Sequence, residues 1–141
     1  MSYLIDTCCI SELIKKEPDV NVVNWFSSVE ETHLYMSVIT LGELRKGVEK
    51  LPVSRRRNKL SDWLNDELTA RFKNRIIDIT VREINVWGTI LAQAELSGRP
   101  MPAVDALIAS TAKVHNLTLV TRNIRDFEYS GVTLVNPWNA L

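Results

Sequence analysis

Short runs with strand character alternate with stretches of helical periodicity along the chain, and this alternation constrains its fold more than any other feature. Tyr3-Leu4-Ile5 is apolar and stops at Asp6; Leu34 to Val38, Arg75 to Ile79, Leu117 to Val120 and Val132 to Val135 read as further strands. Ile10, Leu13 and Ile14 recur at helical spacing as far as Pro18, and Val22, Val23, Trp25 and Phe26 mark a second helix. More helices are expected from Thr40 to Lys50, from Arg55 to Phe72 with Leu60, Trp63, Leu64 and Leu68 on one stripe, and from Val81 to Leu96, where Gly98 ends the turn. Pro100 and Pro102 then lead into a helix from Ala103 to His115. Strands linked through helices run parallel, and a parallel sheet needs helices over both faces. The expected fold is an α/β three-layer sandwich (α/β/α) with a mostly parallel sheet, forming a single domain over 1–141.

Composition narrows the chemistry. The apolar fraction of 45% suits one continuous core, and no apolar run approaches the roughly eighteen residues of a membrane span. Asp6 interrupts the only apolar stretch near the N-terminus, so no signal peptide is expected and a cytoplasmic location is. Cys8 and Cys9 are adjacent, which is neither a disulfide framework nor zinc-ligand spacing. The only histidines are His33 and His115, the latter at the polar end of a helix. There is no G-x-S-x-G elbow, Walker loop or G-x-G-x-x-G fingerprint. A formal net charge of zero argues against broad electrostatic binding of nucleic acid, unless bound divalent cations supply local positive charge.

The acidic residues carry the chemical signal. In open parallel sheets, ligands bind outside the carboxyl ends of the strands. Asp6 ends the first strand, Glu43 lies just beyond the second, and Thr121-Arg122-Asn123 follows the fourth. Each acid also has a purely structural explanation. Asp6 can cap the next helix, Thr40-Leu41-Gly42-Glu43 matches a T-x-x-E capping box, Asp105 suits a helix first turn, and Asn123 with Asp126 has a capping offset. Asp105 resists that explanation most, because Ala106 to Ala112 carries no charge and offers it no partner. Clustered carboxylates repel one another, and a divalent cation relieves the repulsion; oxygen ligands without histidine suit Mg2+ or Mn2+.

Arg45, Lys46 and Lys50 beside Glu43 are candidates for phosphate contacts, as is the run Arg55-Arg56-Arg57 with Lys59. The same run also reads as a solvated helix start, with Glu67 and Arg71 at i,i+4 pairing distance on that helix. Trp25, Phe26 and Trp63 read as core or partner-facing residues rather than base-stacking platforms.

Taken together, these segments resemble the PIN-domain family, and within it the VapC and FitB-like toxins of bacterial toxin–antitoxin pairs. Leu4-Ile5-Asp6-Thr7-Cys8-Cys9-Ile10-Ser11-Glu12-Leu13 is similar to the family's opening, and Ser37 to Gly47 to its S-x-x-T-x-x-E-L-x-x-G helix. Asp105 to Ala112, Val120 to Phe127 and Val135-Asn136-Pro137-Trp138 resemble the later blocks, in order and at family spacing. The resemblance implies an Mg2+- or Mn2+-dependent endoribonuclease that cleaves RNA with a metal-activated water. Asp6 would be the central ligand, Glu43 and Asp105 would complete it, and Thr121 would orient a ligand or water. It also implies a homodimer, inhibition by a small antitoxin protein, and contact with operator DNA only through that antitoxin. A housekeeping PIN nuclease in RNA processing, and a non-catalytic regulator that binds antitoxin on operator DNA, are the alternatives. The chain departs from the family at two places. Cys8 stands where Asn is common, which removes a polar contact to Asp6, and Asn123 occupies a position where relatives carry the fourth acid, so Asn123 or Asp126 is the fourth ligand.

Overall fold

The structure is a computed structural model that describes residues 1–139. Five parallel strands, β1 (Tyr3–Ile5), β2 (Leu34–Ser37), β3 (Ile76–Ile77), β4 (Thr118–Val120) and β5 (Leu134–Val135), form one sheet in the order β3-β2-β1-β4-β5. The helices are α1 (Thr7–Leu13), α2 (Val20–Ser28), α3 (Val38–Glu49), α4 (Arg55–Asp62), α5 (Thr69–Arg71), α6 (Val81–Leu96), α7 (Ala103–Val114) and α8 (Ile124–Phe127). None of the described helices is long and apolar enough to cross a membrane.

Period-two alternation along the strands assigns the helices to layers. Ile5, Leu34, Met36 and Val120 pack into one core with Cys9, Trp25, Leu44, Leu64 and Phe72, which come from α1 to α4 and the segment after it. Leu4 and Leu119 point the other way, into a second core with Ile90 of α6, Ala106 to Ala112 of α7, and Phe127. These two cores, one per face, make the three-layer α/β/α sandwich. Trp25 belongs to the first core, 6% exposed and edge-on to both Tyr3 and Phe26.

Several elements differ from the sequence expectation. The second strand ends at Ser37, not Val38, because the Ser37 hydroxyl accepts from the Ile39 N–H at 3.1 Å and starts α3 two residues before Thr40. The helix expected from Arg55 to Phe72 contains a π-helical turn, Trp63–Leu68, which puts Leu64 and Leu68 both in the core. Arg71 does not pair with Glu67. Instead its guanidinium forks onto Glu31, at 2.6 and 3.1 Å, because a bidentate bond across to another segment is geometrically better than a contact along one helix. β3 and β5 are two residues each, shorter than their apolar runs.

Chain order places the site. From β1 the chain moves to β2 and β3 on one side, and α6 with α7 then carries it back across to β4 on the other side of β1. The β1/β4 junction is therefore the topological switch point, where a crevice opens at the carboxyl ends of the strands. Ser37 fixes the start of the helix that carries Glu43. Ser37→Ala should lower stability by about 1 kcal/mol, the usual scale for a lost N-cap, as measured by urea unfolding; unchanged stability would mean that Thr40 takes over the cap.

Candidate active site

Asp6 leaves the end of β1 directly into the switch-point crevice, anchored by its own N–H donating to the Val120 carbonyl at 2.9 Å. Its side chain is 6% exposed, and both carboxylate oxygens are held. Oδ1 accepts from the Thr7 N–H at 2.8 Å, and Oδ2 accepts from the Thr121 hydroxyl at 2.7 Å. Asp6 thus does cap α1, but capping uses only one oxygen. Burial raises its pKa above the ordinary aspartate value; the bonds from Thr121, Thr7 and Cys8 oppose that rise, and the charge of Asp126 adds to it.

Thr121 works in two directions. Its hydroxyl donates to Asp6 and accepts from the Asn123 N–H at 3.0 Å, so one buried group fixes both the carboxylate and the turn after β4. Asn123 stands at the N-cap position of α8, but its side chain makes no capping bond, contrary to the capping offset in the sequence. Thr121 already supplies the local acceptor. Asp126 lies in the first turn of α8, exposed, with its N–H bonded to the Asn123 carbonyl at 3.0 Å.

The capping box expected at Thr40 and Glu43 does not form, because Ser37 is the cap. Glu43 instead accepts from the Thr7 hydroxyl at 2.6 Å, and Thr40 is buried 3.3 Å from that same hydroxyl. Thr7 is the residue that sequence reasoning missed: its N–H holds Asp6 while its hydroxyl holds Glu43, joining α1 to α3. The available signal was its place, immediately after a strand-ending aspartate and on the first turn of a helix.

Asp105 occupies the first turn of α7, behind Pro102, which offers no capping side chain. Its pKa is pushed up to about 6, first by burial and then by the charges of Asp6, Asp126 and Glu43. Asp105 thus lies within electrostatic reach of the other three acids. Among the described residues, Asp105 forms no ion pair with Lys or Arg.

Cys8 does reach the contact that its replacement of Asn was expected to remove. Its thiol lies 3.7 Å from Asp6 Oδ2 and 3.8 Å from Thr121 Oγ1, as a weak donor. Arg45 is turned away from the acids, bonded to Ser61 at 3.2 Å and to Asn65, with Glu49 at 3.7 Å. Lys46 lines an open cleft with Glu43, Lys50 and Val104.

Among the described residues, no three His, Cys, Asp or Glu side chains already close around one point as a metal cage. The donor set nevertheless fits a hard divalent cation: every candidate ligand offers oxygen, all but Asn123 as a carboxylate, and among the described residues Asp105 has no ion-pair partner. Asp6 is fixed, whereas Glu43 and Asp126 are exposed.

The PIN domain family model matches residues 3–129. The VapC ribonuclease Y4jK of Sinorhizobium fredii is 34% identical, covering 96% of this chain and 96% of that protein. Toxin FitB of Neisseria gonorrhoeae is 35% identical, covering 96% of this chain and 98% of its own length. Among solved structures, that of FitAB bound to the IR36 DNA fragment superposes with a TM-score of 0.94 at 32% identity, over 99% of this chain and 97% of that one.

Electrostatic convergence has a direct consequence for stability. Folded Asp105 holds its proton up to about pH 6, whereas the ordinary value is 3.8, so the folded state binds the extra proton between them. In metal-free buffer this contribution is greatest below about pH 4 and is lost as pH rises through 6. Asp105→Asn should flatten that decline and raise the metal-free Tm at neutral pH by a few degrees. A variant with the parent's pH profile would show that Asp105 does not carry the raised pKa.

Proposed function

The chain belongs to the PIN-domain family, and on that premise we propose that it is a metal-dependent endoribonuclease, the toxin of a toxin–antitoxin pair. The observation that carries the proposal is geometric: Thr7 bonds both the buried Asp6 carboxylate at the switch point and Glu43, while Asp105, which forms no ion pair among the described residues, feels the charges of Asp6, Glu43 and Asp126. Such a centre favours a hard cation and repels RNA without one. The named relatives support the substrate class, being called a VapC ribonuclease and a toxin.

Asp6, Glu43, Asp105 and Asp126 would hold Mg2+ or Mn2+. When bound, the ion lowers the pKa of water and neutralises charge that builds on the scissile phosphate. The protein's own contribution is orientation. Thr121 and the Thr7 N–H hold the Asp6 carboxylate from opposite sides, so it needs little rearrangement on binding. Thr7 also restrains Glu43, which would otherwise be a mobile exposed side chain. Partly buried Asp105, with its raised pKa, would give up its proton on binding a cation below about pH 6. Asp126 is the better fourth ligand than Asn123, because its charge is felt by both Asp6 and Asp105 and because a carboxylate binds a hard cation better than an amide. Lys46, beside Glu43, is better placed for the RNA backbone than Arg45, whose guanidinium is engaged elsewhere.

A small antitoxin partner, a homodimer, and operator DNA reached through that antitoxin complete the proposal. The FitAB complex on DNA supports the partner class.

Purified free of any partner, the protein should cleave single-stranded RNA in Mg2+ or Mn2+ and not in EDTA. Asp6→Ala should lower the rate by roughly a hundredfold or more, as expected when a centre that stabilises transition-state charge is lost. Activity that persists in EDTA would exclude the metal mechanism. Calorimetric Mn2+ titration separates the fourth-ligand candidates. Asp126→Asn should weaken binding by about tenfold or more, while Asn123→Ala leaves affinity and stability nearly unchanged. The reverse ranking would assign the fourth ligand to Asn123. Mn2+ should also raise the Tm of the parent protein, since it binds only the folded state.

A further inference from the structure

A cleft beside Asp126 takes no part in the roles given above. It encloses about 250 Å3 between the α6–α7 connection and α8, with walls from Arg99, Pro100, Met101, Arg125, Asp126 and Tyr129. Tyr129, just after α8, is 68% exposed, an unusual position for a large ring. The Arg99 guanidinium stacks on that ring at 4.0 Å from its centroid. Among the described residues, neither the Arg99 nor the Arg125 side chain forms an ion pair or hydrogen bond. Two guanidiniums without ion pairs among the described residues and an exposed aromatic ring therefore lie beside Asp126, in a chain whose formal net charge is zero.

Resting on the ribonuclease reading, we propose that this cleft is the subsite for a nucleotide flanking the scissile phosphate of single-stranded RNA: its base stacks on Tyr129, and its phosphate meets Arg99 and Arg125. A stacked arginine keeps its N–H donors at the edge of the stack, so one residue supports both the ring and a phosphate. Aromatic stacking serves unpaired bases, which expose their π-faces, and not duplex. The other candidate cations are less suited. Arg45 is bonded to Ser61 and Asn65, and Arg57 to Glu49 at 2.6 Å. Ser130, the nearby hydroxyl, already donates to the Phe127 carbonyl at 2.6 Å, which leaves Tyr129 and the two arginines to meet the nucleotide.

The test uses a labelled single-stranded oligoribonucleotide in two measurements: binding by anisotropy in Ca2+, a hard cation that fills oxygen sites but activates water poorly, and cleavage in Mn2+. Tyr129→Ala should weaken binding by roughly tenfold and raise KM, leaving kcat near the parent value, while Tyr129→Phe keeps parent affinity. An abasic residue walked along the RNA should weaken binding to the parent at one position next to the cut and cause no further loss in Tyr129→Ala. Arg99→Gln and Arg125→Gln should each reduce the salt dependence of binding. Tyr129→Ala binding RNA like the parent, or equal abasic losses in both proteins, would overturn the subsite. So would a Tyr129→Ala defect confined to a purified protein partner, which would assign the cleft to that partner. If the parent cleaves no RNA but the Tyr129-dependent, abasic-sensitive binding is found, the nuclease reading falls and the RNA subsite stands.

Discussion

One buried carboxylate at the end of the central strand ties the architecture to the chemistry. Asp6 is held by the Thr121 hydroxyl and the Thr7 N–H, and its own N–H is fixed to the Val120 carbonyl beside it. Those bonds join β1, β4 and α1 at the point where the chain reverses its direction of winding. Thr121 passes the constraint to the Asn123 turn, and Thr7 passes it to Glu43 on α3. A side chain so placed would be costly in a core without these donors. With them it is a carboxylate held in one orientation at the crevice.

The other buried acids show what a structural carboxylate looks like in this molecule. Glu83 is 2% exposed, but it accepts from the Thr80 N–H and sits 2.9 Å from His115 Nε2; the bonds from Thr80 and His115 hold its pKa down, at about 2, against burial. Glu12 is 5% exposed, pairs with Lys15 at 2.8 Å and accepts from the Asp19 N–H. In both, partners lower the pKa. For Asp6 and Asp105 the balance is reversed, and the pKa is raised by burial and by neighbouring negative charge. That difference in sign sets Asp6 and Asp105 apart from the two acids whose partners stabilise the fold.

The same contrast applies to the cations. Arg71 and Arg75 are committed to Glu31, Arg57 to Glu49, and Arg45 to Ser61, Asn65 and Glu49. Lys46 near Glu43, and Arg99 and Arg125 beside Asp126, lie on the rim of the carboxylate centre. Local charge therefore matters more than a net charge of zero suggests. A chain can be neutral overall and still present cations where a phosphate backbone would pass.

The sequence by itself determined the layered α/β fold, because the change between strand and helical periodicity leaves a parallel sheet covered on both faces as the simplest way to bury both patterns. It also placed Asp6 and Thr121 at strand ends, and Glu43 on the helix that follows the second strand, on the side where such sheets bind ligands. Tertiary structure decided how those residues are used. Thr40 with Glu43 fits a capping box locally, yet Ser37 starts the helix and Glu43 turns to Thr7 across 36 positions of sequence. Asn123 looked like a cap, but Thr121 holds the turn while bonding to Asp6, 115 positions away. Glu67 stood one turn from Arg71, and Glu31 from another segment made the better partner. Capping and pairing patterns are short and degenerate, so several local arrangements satisfy them equally. The choice among them falls to contacts between distant segments, which exist only once the strands are side by side.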